Sequence, residues 1–159
     1  IDWSKFIVDF FLRYPPIYMS KVDGTLYLSN RLSGEIISHD GYPNTTYSQD
    51  IDTNVTFLGL NSSHVLTLVF DTFDLYYNPE FKNCESDWLE FGGIIAQGWR
   101  LKLCGFPVSK PATNIFYRFP VSGRSISFRF HTNFLNTAGL GFKLRFYISK
   151  FTSAPITLQ

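Results

Sequence analysis

Little in this sequence is charged, and less of it is reactive. Charged residues make up 17% of the 159, and 14 Lys and Arg against 13 Asp and Glu leave a formal net charge of +1. That balance offers no electrostatic footprint for nucleic acid or for an anionic membrane surface. The nearest approach to a long apolar run, "FIVDFFL", is broken by Asp9 and falls well short of a membrane span. No basic start with an apolar stretch and a small-residue cleavage site is visible, so the expectation is a mature protein or a domain of something longer. Histidine is scarce too: His39, His64 and His131 lie in unrelated segments without metal-ligand spacing. There is no G-x-S-x-G elbow, no phosphate-binding glycine loop and no C-x-x-C pair. A nucleophile needs a base held by a third group, and no such constellation is legible. The expectation is a protein that is not an enzyme.

Aromatic residues are what the chain has in abundance, at 18%, with 17 Phe and 9 Tyr; apolar residues reach 45%. This length and apolar content suit one globular domain with a real core. Phe and Tyr favour pleated, half-buried surfaces, so the composition leans towards strands. The patterning agrees. "DWLEF", "WRLKLCG", "SISFRFH" and "GFKLRFYIS" alternate apolar and polar residues with period two. One buried and one wet face is the antiparallel pattern, and Gly, Pro, Asn and Ser interrupt it every ten residues or so. "VTFLGL" and "HVLTLVF", separated by "NSS", read as a hairpin with a short loop. An antiparallel β-sandwich or jelly roll is expected.

The first 14 residues differ. Trp3, Phe6, Ile7, Phe10 and Phe11 fall at helical spacing, and Pro15-Pro16 ends the run. Such an aromatic face must be covered, by its own domain or by a neighbouring domain or subunit. Residues 1–23 therefore read as an aromatic amphipathic extension, and 152–159 as a linker.

Three N-x-S/T motifs, at Asn44, Asn54 and Asn61, lie within 20 residues. Asn44 follows Tyr42-Pro43, Asn61 sits in a polar break, and Asn54 alternates with Val55 and Phe57, on the outer face of a strand. Their clustering favours passage through a secretory compartment. The two cysteines, Cys84 in "FKNCESDWLEF" and Cys104 in "LKLCGF", are by residue type alone reactive thiols, metal ligands or disulfide partners.

Read in order, "GEIISHDGYPNTTYSQDI", "HVLTLVFDTFDL", "CESDWLEF", "LCGFP", "ISFRFHTN" and "GFKLRF" resemble the segments of a CUB domain. The resemblance covers about residues 24–151 and implies an all-β, jelly-roll-like sandwich found in extracellular modular proteins. It also implies a disulfide between Cys84 and Cys104. The family's first disulfide is missing at both ends, with Thr53 where its second cysteine would be expected. In family members that bind Ca²⁺, carboxylates converge from three places. The matching positions here are Tyr76, Asp87 and Asn133, only one of them a carboxylate. Ca²⁺ takes six to eight oxygens, several of them charged, so no calcium and no other cofactor is expected.

The resemblance implies an extracellular protein-interaction module, secreted or in a membrane-protein ectodomain. Its partner would be another protein or neighbouring domains of the same chain. The alternative is a carbohydrate-binding, lectin-like sandwich of the spermadhesin type, with Trp88, Trp99 or Tyr side chains stacking on sugar rings.

Overall fold

A computed structural model describes residues 15–78, 80, 84–94, 100–105, 115–134 and 138–150. Ten strands follow in order: β1 (Ile17–Tyr18), β2 (Thr25–Ser29), β3 (Ser33–Ile37), β4 (Asp52–Leu58), β5 (His64–Asp74), β6 (Trp88–Gly92), β7 (Arg100–Leu103), β8 (Ile115–Pro120), β9 (Ile126–His131) and β10 (Gly141–Lys150). They form two five-stranded sheets, β1-β3-β10-β5-β8 and β2-β4-β9-β6-β7. The architecture is the expected all-β sandwich. Most pairs are antiparallel, but β1 on β3 and β2 on β4 are parallel, so both sheets are mixed.

Side-chain alternation builds the core. Phe142, Leu144, Phe146 and Ile148 of β10 point inward, and Lys143, Arg145 and Tyr147 point outward. Among the described residues seven phenylalanines are fully buried: Phe57, Phe70, Phe91, Phe128, Phe130, Phe142 and Phe146. Phe128 sits at the centre, with ring centroids 5.5 Å from Phe57, 5.1 Å from Phe91 and 6.1 Å from Phe146 across the sandwich. Each such ring stabilises the fold by roughly 1.5–3 kcal/mol through burial alone. One departure from strict alternation is instructive. Phe70 and Phe73, three apart, both face the core because the β5–β10 register slips at Asp71, a bulge that turns the strand.

One expectation changes. "VTFLGL" and "HVLTLVF" are not a hairpin: β4 pairs with β2 and β9, whereas β5 pairs with β10 and β8. Both strands carry a full inward apolar face, and the chain crosses between sheets at Gly59–Ser63 to bury both against each other. Ile17 pairs with Ile36, and Ile17 and Met19 join the core, so residues 17–21 belong to the sandwich. A 3-10 turn at Met19–Lys21 follows β1. The helical reading of residues 1–14 and the linker at 152–159 lie outside the described residues.

The sandwich has two distinct ends. At one, β10 begins, β4 and β6 begin, and the loops carrying Tyr47, Tyr76, Asp87 and Asn133 gather. At the other lie the Gly59–Ser63 crossover, Arg124 and the end of β10 at Lys150.

Candidate functional site

The loop-rich end is built around one buried pair. Asp87, which immediately precedes β6, is fully buried. Its Oδ2 accepts a hydrogen bond from the Tyr47 hydroxyl at 2.7 Å, and its Oδ1 accepts the Asn133 backbone N–H at 2.9 Å. The Tyr47 oxygen in turn accepts the Tyr76 N–H at 2.7 Å and a backbone bond from Gly139. Asn133 Nδ2 donates to Ser86 Oγ, and Asn133 O accepts the Asp50 N–H at 2.9 Å. Thr132 Oγ1 accepts the Ile51 N–H at 2.8 Å and donates to Ser48 O at 2.9 Å. One phenol and one carboxylate thus tie together segments from five parts of the chain. Burial pushes the Asp87 carboxyl up, while its bonds from Tyr47 and Asn133 hold it down. Burial also pushes the Tyr47 hydroxyl up, so it stays a phenol and a donor.

A covalent tie supports the same end. Cys84 and Cys104 form a disulfide with Cα atoms 5.5 Å apart, joining the segment before β6 to the end of β7. Gly105 follows with φ of +62°, and a Cβ there would lie 2.8 Å from Tyr77 Cβ. Only glycine lets the two backbones approach this closely.

The structure brings the three expected calcium-site positions to this end but not into a cage. Both oxygens of the single carboxylate already accept hydrogen bonds, and Tyr76 turns an N–H towards the centre. A cation there would meet donor hydrogens in place of six to eight oxygens. Asp74, the nearest alternative acid in sequence, accepts the Leu140 N–H at 3.0 Å. Among the described residues no three His, Cys, Asp or Glu side chains are grouped to hold a metal ion. The residues present do not fit Ca²⁺.

Three large apolar side chains stand out at this end: Phe134 is 74% exposed, Tyr77 47% and Leu140 44%. Phe134 follows Asn133, Tyr77 lies on Gly105, and Leu140 is bonded to Asp74. They project from a backbone fixed by the Tyr47–Asp87 pair. The interface candidates read from sequence, Trp3, Phe6, Ile7, Phe10 and Phe11, lie outside the described residues.

Other chemically suggestive groups have local partners. Ser38 Oγ is 2.7 Å from His39 Nδ1, a nucleophile-base distance. Both are buried, however, and His39 Nε2 bonds the Thr45 carbonyl at 2.6 Å, where no carboxylate orients the ring. Ser38 Oγ also accepts the Phe142 N–H. The pair braces a loop. Trp88 is only 8% exposed: His131 stacks on it with centroids 4.9 Å apart, and Lys102 Nζ lies 4.3 Å from the ring centre. Arg129 approaches the same ring at 5.2 Å and forms a two-pronged pair with Asp52, both contacts 2.8 Å. The Arg129 bond holds the Asp52 carboxyl below its usual range. Trp99 lies outside the described residues.

Sequence reasoning missed Tyr47. The ring stands in the polar stretch "TTYSQD", where no linear pattern marks it as buried.

No family model and no curated protein matches the chain. Solved structures do match. The CUB1-EGF-CUB2 domains of rat MASP-1 align with a TM-score of 0.58 at 21% identity, over 79% of this chain and 42% of that one. The full extracellular region of zebrafish Gpr126/Adgrg6 gives 0.60 at 18% identity, over 81% of this chain and 15% of that one. The MASP-1 CUB2 domain bound to Ca²⁺ gives 0.53 at 22% identity, over 79% and 98%. This chain therefore spans less than half of the multi-domain structures and nearly all of the single domain. Two five-stranded sheets joined in this order, with these likenesses, give the chain a CUB-like fold.

Proposed function

We propose that this chain is a non-catalytic, extracellular protein-interaction module of a larger secreted or membrane-anchored protein or assembly. The observation that carries the reading is the loop-rich end. Exposed Phe134, Tyr77 and Leu140 stand on a backbone pre-organised by the Tyr47–Asp87 pair and the Cys84–Cys104 bridge. Rigid apolar anchors are what protein contacts use, because little ordering entropy remains to be lost on binding. The CUB-like fold supports it: one similar structure is an extracellular region, and others combine CUB domains with an EGF domain. In the alternative, lectin-like reading Trp88 is a poor sugar platform, because both Lys102 and His131 already lie against its ring.

The test immobilises three forms of the chain: wild type, the Tyr77→Ser/Phe134→Ser double variant, and Tyr147→Ser on the outer face of the β10 sheet. Secreted and cell-surface proteins are passed over each. A partner held by wild type and Tyr147→Ser but lost from the double variant supports the reading. Equal retention by all three overturns the assignment to the loop-rich end.

A further inference from the structure

The fold treats two of the three N-x-S/T motifs in opposite ways. Asn54 lies on β4, which is flanked by β2 and β9, with Thr25 and Arg129 as its cross-strand neighbours. Its Oδ1 is buried without a partner. Arg129 beside it is pinned to Asp52 by two 2.8 Å bonds. The amide oxygen is turned into the sheet, so a sugar on Asn54 Nδ2 would stand beside Arg129 and crowd its pair with Asp52.

Asn61 sits in the crossover between the sheets, and Asn61, Ser62 and Ser63 are all exposed. Its Oδ1 accepts the Ser63 N–H at 2.9 Å and also the Ser63 hydroxyl. Its backbone N–H donates to His64 Nδ1 at 3.1 Å, and its carbonyl accepts the His64 N–H at 3.0 Å. The turn is therefore closed by the motif's own residues. It holds the side-chain oxygen inward, and the amide nitrogen has no hydrogen-bond partner among the described residues. Asn44 is exposed too, but its side chain makes no such contact with Thr46.

We propose that Asn61 is the acceptor for an N-linked oligosaccharide and that Asn54 is not. The inference rests on the extracellular reading above. The donor is an oligosaccharide carried on a lipid pyrophosphate. Asn61 Nδ2 forms a bond to the anomeric carbon of the first sugar. The bond from that carbon to the pyrophosphate oxygen breaks, the lipid pyrophosphate leaves with the electron pair, and the amide proton passes to a base of the transferase. Asn61 lies at the end of the sandwich opposite Phe134, so a sugar there leaves the apolar loop surface open. Sugar bulk and partner contact fall at opposite ends.

The experiment uses the full 159-residue chain, secreted from eukaryotic cells behind a cleavable leader. A glycosidase that converts each occupied Asn to Asp is applied in heavy-oxygen water, and the peptides are weighed. Expected is label at Asn61 in most molecules and little at Asn54. Asn61→Gln and Ser63→Ala should each remove one oligosaccharide from the intact mass, Ser63→Ala without touching the acceptor. An unlabelled Asn61 in folded, secreted protein overturns the inference, as does Asn54 labelled as heavily as Asn61. Label at Asn61 here, with free thiols and no sugar in protein from its native source, leaves the acceptor assignment standing and sinks the extracellular reading.

Discussion

Tyr47→Phe removes one oxygen and keeps the ring. The ring contacts persist, edge-on to Phe130 at 5.6 Å and near His39 at 6.3 Å, so packing changes little. The polar loss is large for one atom. Fully buried Asp87 loses the donor to its Oδ2, and the part-buried Tyr76 N–H and the Gly139 backbone lose their acceptor. An unmet buried group costs about 1–3 kcal/mol, and more when charged, so the variant should lose about 4 kcal/mol. For a domain of this size that corresponds to a fall of about 8–16 °C in Tm. The assay is denaturant and thermal unfolding at neutral pH with the disulfide intact. A cycle with Asp87→Ala should return a coupling of about 1.5–3 kcal/mol for the pair. Adding Ca²⁺ or a chelator should leave the wild-type midpoint where it was, whereas a site saturated a hundredfold over Kd would add about 2.7 kcal/mol. If Tyr47→Phe unfolds within about 0.5 kcal/mol of wild type, the phenol is not the tie described. A midpoint raised by Ca²⁺ would show that a cation fits where the donor set argues it does not.

Three further outcomes are expected. Replacing Cys84 and Cys104 together by Ser, which opens a loop with a sequence separation of 20, should cost about 3 kcal/mol in the chain-entropy model; an unchanged denaturation midpoint refutes it. Gly93→Ala should destabilise by about 2 kcal/mol or more, since φ is +78° and a Cβ would lie 2.1 Å from the Ser125 carbonyl oxygen. Gly123→Ala, with open space around it, serves as the control and should unfold like wild type. Asp52 has a lowered carboxyl pKa because Arg129 bonds to it, so its contribution is present above the unfolded value of 3.8 and lost as pH falls through the folded value. Asp52→Asn should therefore flatten the loss of Tm on acidification to about pH 2, and an unchanged slope counts against the pair. Asp87, raised by burial, runs the other way: its contribution is full below 3.8 and fades as pH rises through the folded value.

The strands with clean alternation were legible because burial of one face dictates a period of two. β9 and β10 show it residue by residue. The parallel strands were not. β1 has two residues, too few to show a period, and β2 exposes four of its five, so neither carries the pattern that marks a strand. The β4–β5 pair misled because a short polar break fits a tight hairpin and a crossover equally well; only the partner strands distinguish them. At the site, the positions of Asp87 and Asn133 followed from the CUB resemblance. What joins them did not, because Tyr47 is 40 residues from Asp87 in sequence and meets it only when the loops fold together. Trp88 was read as a possible sugar platform, yet Lys102 and His131 reach it from neighbouring strands, a cross-strand coincidence that no linear spacing announces.

The short parallel strand β1 has a mechanical consequence. β10 is clamped on both sides, with ten register pairs to β5 and five to β3, whereas β1 hangs on the sheet by two. A pull between Pro15 and Lys150 loads both strands from the same end of the sheet, but β1 is freed once two pairs part, while β10 must part from a neighbour on each side. Tension would strip Ile17 and Met19 from the core first and leave β10, the bulged β5 and the loop-rich end in place. The sandwich has a soft selvage and a stiff weave, and a module pulled through its ends would yield at the edge while the surface bearing Phe134 kept its shape.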